Sequence, residues 1–167
     1  MPHNAAARNA DLPGSALPAN GTIIEMSFKA TFRWVRRAIH ETMDALESTG
    51  LTAEDLGSVE IVLAEALNNI VEHAYPQGEP GDISLSLRRR NTGLMVEVRD
   101  SGRPMPNGRA PIGNHPMAEF QDDPMPEGGY GWFLIRELVQ DLIYDRSAGE
   151  NFLIFRLAVG TQTQSQV

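Results

Sequence analysis

Apolar residues recur at steps of three and four in three stretches of the chain and on alternate positions in several others, and the two periods predict its elements. Phe32, Val35, Ile39, Met43 and Leu46 keep helical spacing, while Arg33, Arg36, Arg37 and Glu41 take other faces. This predicts an amphipathic helix ending near Gly50. Thr52 opens a second helix with Glu54 and Asp55 in its first turn, where the positive end of the dipole favours acids. Its stripe runs through Leu56, Val59, Leu63, Ala66, Leu67, Ile70, Val71 and Ala74, and the run AYPQGEPG ends it. A third helix is predicted from GGYGWFLIRELVQDL.

Strands are predicted at TIIEMSF, at ISLSLRRR and GLMVEVRD, and on either side of 147–150 in IYDRSAGENFLIFRLAV. The middle pair alternates as Ile83, Leu85, Leu87 and Leu94, Val96, Val98 around Asn91, Thr92 and Gly93, the pattern of a hairpin. The order strand, helix, helix, strand, strand, loop, helix, strand, strand predicts an α+β sandwich with one sheet covered on one face.

Proline sharpens the boundaries. Its 11 copies fall in three groups, and six of them (Pro104, Pro106, Pro111, Pro116, Pro124 and Pro126) lie within 103–127, where no periodicity survives. A gap of that length inside a compact domain is characteristic of a lid, a binding loop or a disordered segment. The first twenty residues are Ala, Asn, Pro and Gly with few large apolar groups, which predicts a floppy tail. With 14 basic and 22 acidic residues the net charge is −8, which argues against an electrostatic grip on nucleic acid or an anionic membrane. There is no cysteine, so thiolate metal sites and thiol nucleophiles are excluded. No apolar run has the length of a transmembrane helix and the N-terminus lacks a signal-peptide pattern, so the expectation is a soluble, cytoplasmic protein.

Three local patterns carry chemistry. Glu65 and Asn69 in LAEALNNIVEHAY are four apart, so on a helix a carboxylate and an amide oxygen project from one side. The carboxylate suits a general base and the amide oxygen a hard metal ligand, though such a pair also occurs on ordinary helix surfaces, and Asn68 and Glu72 lie close by. Asp100-Ser101-Gly102 ends a strand, where the carboxylate can accept from an exocyclic amine and glycine lets a flat base approach. As a bare pattern it is equally a turn. Gly128-Gly129-Tyr130-Gly131 runs into a helix, and free N–H groups at a helix start suit phosphate. The run has neither the third glycine of the Rossmann fingerprint nor the Gly-Lys-Ser/Thr of the Walker loop.

In that order along the chain, the three patterns and the irregular loop between them resemble the Bergerat fold of the histidine-kinase-like ATPases. EALNNIVEHAY, VRDSGRPM and EGGYGWFLIRELVQDLIYD are most similar to the anti-sigma factor serine-protein kinases, switch kinases that work with anti-anti-sigma partners. The resemblance covers roughly 22–159. It implies a two-layer sandwich of a mixed, mostly antiparallel sheet covered on one face by three helices. The domain would be 22–160, with an ATP lid at 103–127 and disordered tails at 1–21 and 161–167.

By the same resemblance Glu65 matches the catalytic base and Asn69 the magnesium ligand. Asp100 matches the residue that binds the adenine amine, with Gly102 beneath the base. Gly129 and Gly131 match the glycines under the phosphates. Tyr130 and Trp132 belong to the same nucleotide-binding turn but stand where many relatives have a small aliphatic residue and leucine. Asn151 stands near the last hairpin, where relatives often have threonine, and is a further candidate nucleotide contact. The implied function is that of a protein serine kinase using ATP and Mg2+, which binds a sigma factor, phosphorylates an anti-anti-sigma protein of STAS type on serine, and forms a homodimer. The other readings are an ATP-gated anti-sigma binder without kinase activity and a detached histidine-kinase catalytic domain, for which His40 lacks the proline and surroundings of a phosphoacceptor box. Arg33, Arg36 and Arg37 form either a partner-binding face or a solvated helix surface.

Overall fold

A computed structural model describes residues 21–113 and 129–160. Residues 1–20 and 161–167, 114–127 of the expected lid with Pro116, Pro124 and Pro126, and Gly128 of the glycine run lie outside the described residues. In chain order the elements are β1 (Gly21–Lys29), α1 (Phe32–Glu47), α2 (Ala53–Asn69), β2 (Asp82–Arg90), β3 (Gly93–Asp100), α3 (Gly129–Leu138), β4 (Gln140–Ser147) and β5 (Glu150–Leu157). The strands form one five-stranded sheet in the order β1-β2-β3-β5-β4. Every adjacent pair is antiparallel, so the sheet is more uniform than the mixed one expected.

The core follows the alternation. Ile83, Leu85 and Leu87, Leu94, Val96 and Val98, and Leu153, Phe155 and Leu157 are all buried against Val35, Ala38 and Leu46 of α1, Val59, Leu63, Ala66 and Leu67 of α2, and Trp132 and Ile135 of α3. Burying one large apolar side chain contributes roughly 1.5–3 kcal/mol, so this face holds the helices to the sheet. On α1 the expected stripe shifts: Phe32 is half exposed, while Thr42 is buried and its hydroxyl donates to Ala38 O at 2.8 Å. Helix α2 opens with a reciprocal cap, Thr52 Oγ1 accepting from Asp55 N and Asp55 Oδ2 accepting from Thr52 N.

Two local departures from the sequence reading matter. The third helix stops at Leu138 rather than continuing through Val139-Gln140-Asp141-Leu142, because Asp141 has φ 55° and the β4–β5 register slips between Gln140 and Ile143. Arg156 of β5 fixes this bulge by donating to Asp141 Oδ2 (2.7 Å) and Gln140 Oε1 (2.6 Å). The second helix does not simply end: after Asn69 it widens into a π-helical turn, Ile70–Ala74, closed by Tyr75 N donating to Ile70 O. Such turns are concentrated at functional sites.

That turn is stapled to the end of β3. Arg103 N donates to Ala74 O at 2.9 Å, and a Cβ on Gly102 would stand 2.5 Å from Ala74 O, so any larger residue at 102 would push the strand end away. The buried Tyr75 places its hydroxyl between Ser101 N, from which it accepts (2.9 Å), and Asp82 O, to which it donates (3.2 Å). Removing that hydroxyl leaves two backbone groups without their partner. Tyr75→Phe is expected to lower stability by about 1–3 kcal/mol, read as a lower midpoint in urea unfolding with an unchanged slope.

Candidate active site

The C-terminal ends of α2 and β3, the start of α3 and the last hairpin border one cleft of about 1090 Å³. Asn69, Asp100, Gly129, Trp132 and Asn151 line it, together with Ile70, His73, Ala74, Met105, Tyr144 and the 103–113 segment that roofs it. Residues dispersed across the sequence thus meet in one place.

Asn69 lines one end of the cleft, while Glu65, one turn back and outside the lining residues, faces the start of α3 beside Gly131. A Cβ on Gly131 would collide with Glu65 Oε2 and lie 3.7 Å from Asn69 Nδ2. Gly131 is therefore small because the carboxylate occupies the space beside it, a packing reason added to the phosphate argument. Asn69 Nδ2 donates to Glu65 O at 2.7 Å, one turn back, which leaves Oδ1 as its outward acceptor. The neighbouring Asn68 borders a different groove, between α1 and α2, so of the two adjacent amides it is Asn69 that lines the cleft. His73 also lines the cleft, with Nε2 at 3.8 Å from Glu72. Trp132 is buried in the core beside the cleft, whereas Tyr130 is exposed and stacks on Phe133 with ring centroids 6.1 Å apart.

At the other end, Asp100 and Asn151 are cross-strand partners on β3 and β5, both buried. Asp100 Oδ1 accepts from Asn151 Nδ2 and from Gly102 N, each at 2.8 Å. Both side-chain bonds land on Oδ1, leaving Oδ2 for a donor in the cleft. Asn151 Nδ2 is also directed at Arg103 O (3.1 Å) and Gly102 O (3.4 Å), and its Oδ1 accepts from Tyr144 OH (2.7 Å) and Arg146 Nη1. Burial pushes the Asp100 carboxyl above its ordinary value of 3.8, against the opposing effects of the Asn151 and Gly102 hydrogen bonds and the Arg146 charge. Burial likewise raises the Tyr75 phenol.

The roof is anchored by residues the sequence reading did not single out. Arg136 of α3 donates to Pro111 O (2.7 Å) and Ala110 O (2.9 Å), Arg103 pairs with Glu79 at 2.6 Å, and Tyr144 OH accepts from Met105 N at 3.0 Å. Nothing in their spacing marks these residues, because each acts on a segment 24 to 39 positions away. Arg33, Arg36 and Arg37 lie away from the cleft, along the α1–α2 groove beside Phe32, Ile39 and Met43. Arg37 pairs with Glu41 and lies 5.3 Å over the Trp34 ring, while Arg33 and Arg36 have no ion-pair partner among the described residues.

Residues 28–157, nearly the whole of this fold, match the histidine kinase-like ATPase domain. The chain belongs to that family. Membership implies the use of ATP. Similar proteins include the serine/threonine-protein kinase BtrW of Bordetella bronchiseptica, 38% identical over 89 residues, or 53% of this chain and 61% of that protein. The serine-protein kinase RsbW of Bacillus cereus is 28% identical over 145 residues, or 85% of this chain and 89% of that one. Among solved structures, that of the RsbU and RsbW domains of Rv1364c from Mycobacterium tuberculosis has the same fold, with a TM-score of 0.52 at 15% identity over 81% of this chain and 32% of that one. The chain thus spans less than two thirds of the Bordetella kinase and about a third of the mycobacterial chain. Among the described residues no helix of this ATPase domain is long and apolar enough to cross a membrane.

The buried carboxylate has a cost with a definite sign. Because its pKa is raised on folding, the ionised form opposes folding, and stability falls as pH rises from the unfolded value through the folded one. Asp100→Asn keeps an oxygen for Asn151 and Gly102 but loses the charge. Its stability is expected to match or exceed that of the parent at pH 7, the difference closing as pH falls through that window, while ATP affinity drops by about 10-fold or more. Thermal unfolding from pH 4 to 8 and calorimetric titration with ATP check the two halves.

Proposed function

We propose that this chain is an ATP-dependent serine-protein kinase that also acts as an anti-sigma factor, working in the cytoplasm as a homodimer. The observation that carries the reading is the cleft itself, with an amide of α2 at one end, the Glu65 carboxylate pressed against the α3 start beside it, and a buried carboxylate with a free oxygen at the far end. Relatives named as serine-protein kinases support it.

In this reading ATP lies with its adenine amine on Asp100 Oδ2, its base over Gly102, and its phosphates toward Gly129 and Gly131 at the positive end of α3. Asn151 backs the base site, and Trp132 closes the wall. Tyr130, on the exposed side of the same turn, is the weaker contact. Asn69 Oδ1 is the protein's ligand for Mg2+, and its fit rests on the bond that ties Nδ2 back to Glu65 O. One hard oxygen suffices where phosphates and water complete the shell, and when bound the ion neutralises phosphate charge. No group of three acidic or histidine side chains among the described residues offers another metal site.

Glu65 serves as general base, taking the proton from a serine hydroxyl of the partner as that oxygen attacks the γ-phosphorus and ADP leaves. The acceptor is an anti-anti-sigma protein of STAS type. Phosphorylation adds about −1.5 to −2 charges to it, which breaks its interface and frees the kinase for the sigma factor. Arg33, Arg36 and Arg37 form the docking face for the partner proteins. The 103–127 segment is the ATP lid of a domain spanning 22–160.

The test is incubation with γ-labelled ATP and the cognate anti-anti-sigma protein. The parent is expected to label the partner on serine, and Glu65→Ala to slow labelling by about 10²- to 10⁴-fold with ATP affinity kept within a few-fold. An ATP-bound parent that labels no serine contradicts kinase activity; sigma-factor control that survives in Glu65→Ala, with no labelling by the parent, makes the chain a nucleotide-gated binder.

A further inference from the structure

We infer that Tyr144 is a positioning residue for base recognition, acting through Asn151; the inference rests on the proposal that the cleft binds ATP. Tyr144 belongs to β4, one of the two edge strands, and nothing in its local sequence marks it. Yet its side chain lines the cleft, and its hydroxyl is fully used, accepting from Met105 N (3.0 Å) and donating to Asn151 Oδ1 (2.7 Å). The first bond pins the roof where it leaves β3. The second fixes the amide whose other end sits on Asp100 Oδ1.

The chain of bonds has a single polarity. Met105 N–H donates to Tyr144, Tyr144 O–H to Asn151, and Asn151 N–H to Asp100, so each group is held as donor to the next and Asp100 Oδ1 is saturated. A carboxylate with one oxygen taken presents only the other, and that oxygen is an acceptor. The wall therefore selects a base edge that offers an amino group over one that offers a carbonyl. Arg146 bonds both Asn151 Oδ1 and Gly102 O (3.0 Å), so it supports the same hub from the solvent side, but it makes no bond to the roof. Among the described residues Tyr144 alone joins the base site to Met105, so roof position and carboxylate orientation are set together.

A double-mutant cycle on the whole chain tests this. Tyr144→Phe keeps the ring and loses the hydroxyl; it is expected to weaken ATP and ADP equally, by about 5- to 20-fold, and to leave inorganic triphosphate unaffected, since that ligand has no base. Asn151→Ala is expected to weaken ATP by at least as much, and the double variant to match Asn151→Ala within about two-fold, because one route carries both effects. ATP binding by Tyr144→Phe equal to the parent's overturns the inference. So do multiplicative losses in the double variant, which mean that the tyrosine acts on its own, and an equal loss of triphosphate, which means general damage to the cleft. A parent that binds triphosphate but discriminates against no nucleotide base overturns it as well. A parent that binds neither ATP nor triphosphate refutes the nucleotide reading itself and the inference with it, and is told apart because the failure is already present without substitution.

Discussion

The structure turns on one buried contact, Asn151 Nδ2 to Asp100 Oδ1 at 2.8 Å, made across the pairing of β3 and β5. A carboxylate held out of water is stable only with donors already in place, and this one has two on the same oxygen. The arrangement opposes folding in its charged form, as the raised pKa of Asp100 records, and an apolar pair at the two positions would suit the core better. A costly group kept in a cleft wall, with one oxygen uncommitted, is characteristic of a site that has a ligand to meet.

Most of the irregular structure serves to hold that contact. The π-helical turn after Asn69 carries Ala74 under Gly102 and Tyr75 under Ser101, so the end of β3 is fixed by α2. The same helix carries Glu65 and Asn69, so one element sets both the Asn69 end of the cleft and the support beneath Gly102. The hairpin of β4 and β5 supplies the other side, with the Asp141 bulge and Arg156 setting how β4 lies against β5. Residues 103–113 then cross the opening, tied down at Met105, Ala110 and Pro111.

Element type and order were legible in the sequence because periods of 3.6 and 2 are properties of neighbours. The alternation Ile83, Leu85, Leu87 and Leu94, Val96, Val98 marked the buried face of the sheet, and Glu65 with Asn69, Asp100 with Gly102, and Gly129 with Gly131 were each visible as local patterns. Their convergence was not local, and it was reached only through the ordered combination and its family resemblance. What escaped has a common physical cause. Gln140 and Asp141 read as the tail of a helix because a bulge is stabilised by Arg156 from another strand. Phe32 fits an apolar stripe by spacing, but among the described residues it stays half exposed at the start of α1. Tyr144, Arg146 and Arg136 act through hydrogen bonds that span tens of residues, and only the assembled sheet brings those partners together.

The central claim is that this one cleft receives ATP, base at Asp100 and phosphates at the start of α3. Backbone amide chemical shifts measured as ATP is titrated into the protein test it most directly. The account predicts saturable changes centred on Gly102, Arg103, Met105, Gly129, Tyr130, Gly131 and Asn151, with ADP reproducing those around Gly102 and Asn151. Changes confined to the α1–α2 groove around Arg33 and Asn68, or a spectrum unmoved by millimolar ATP, would contradict it.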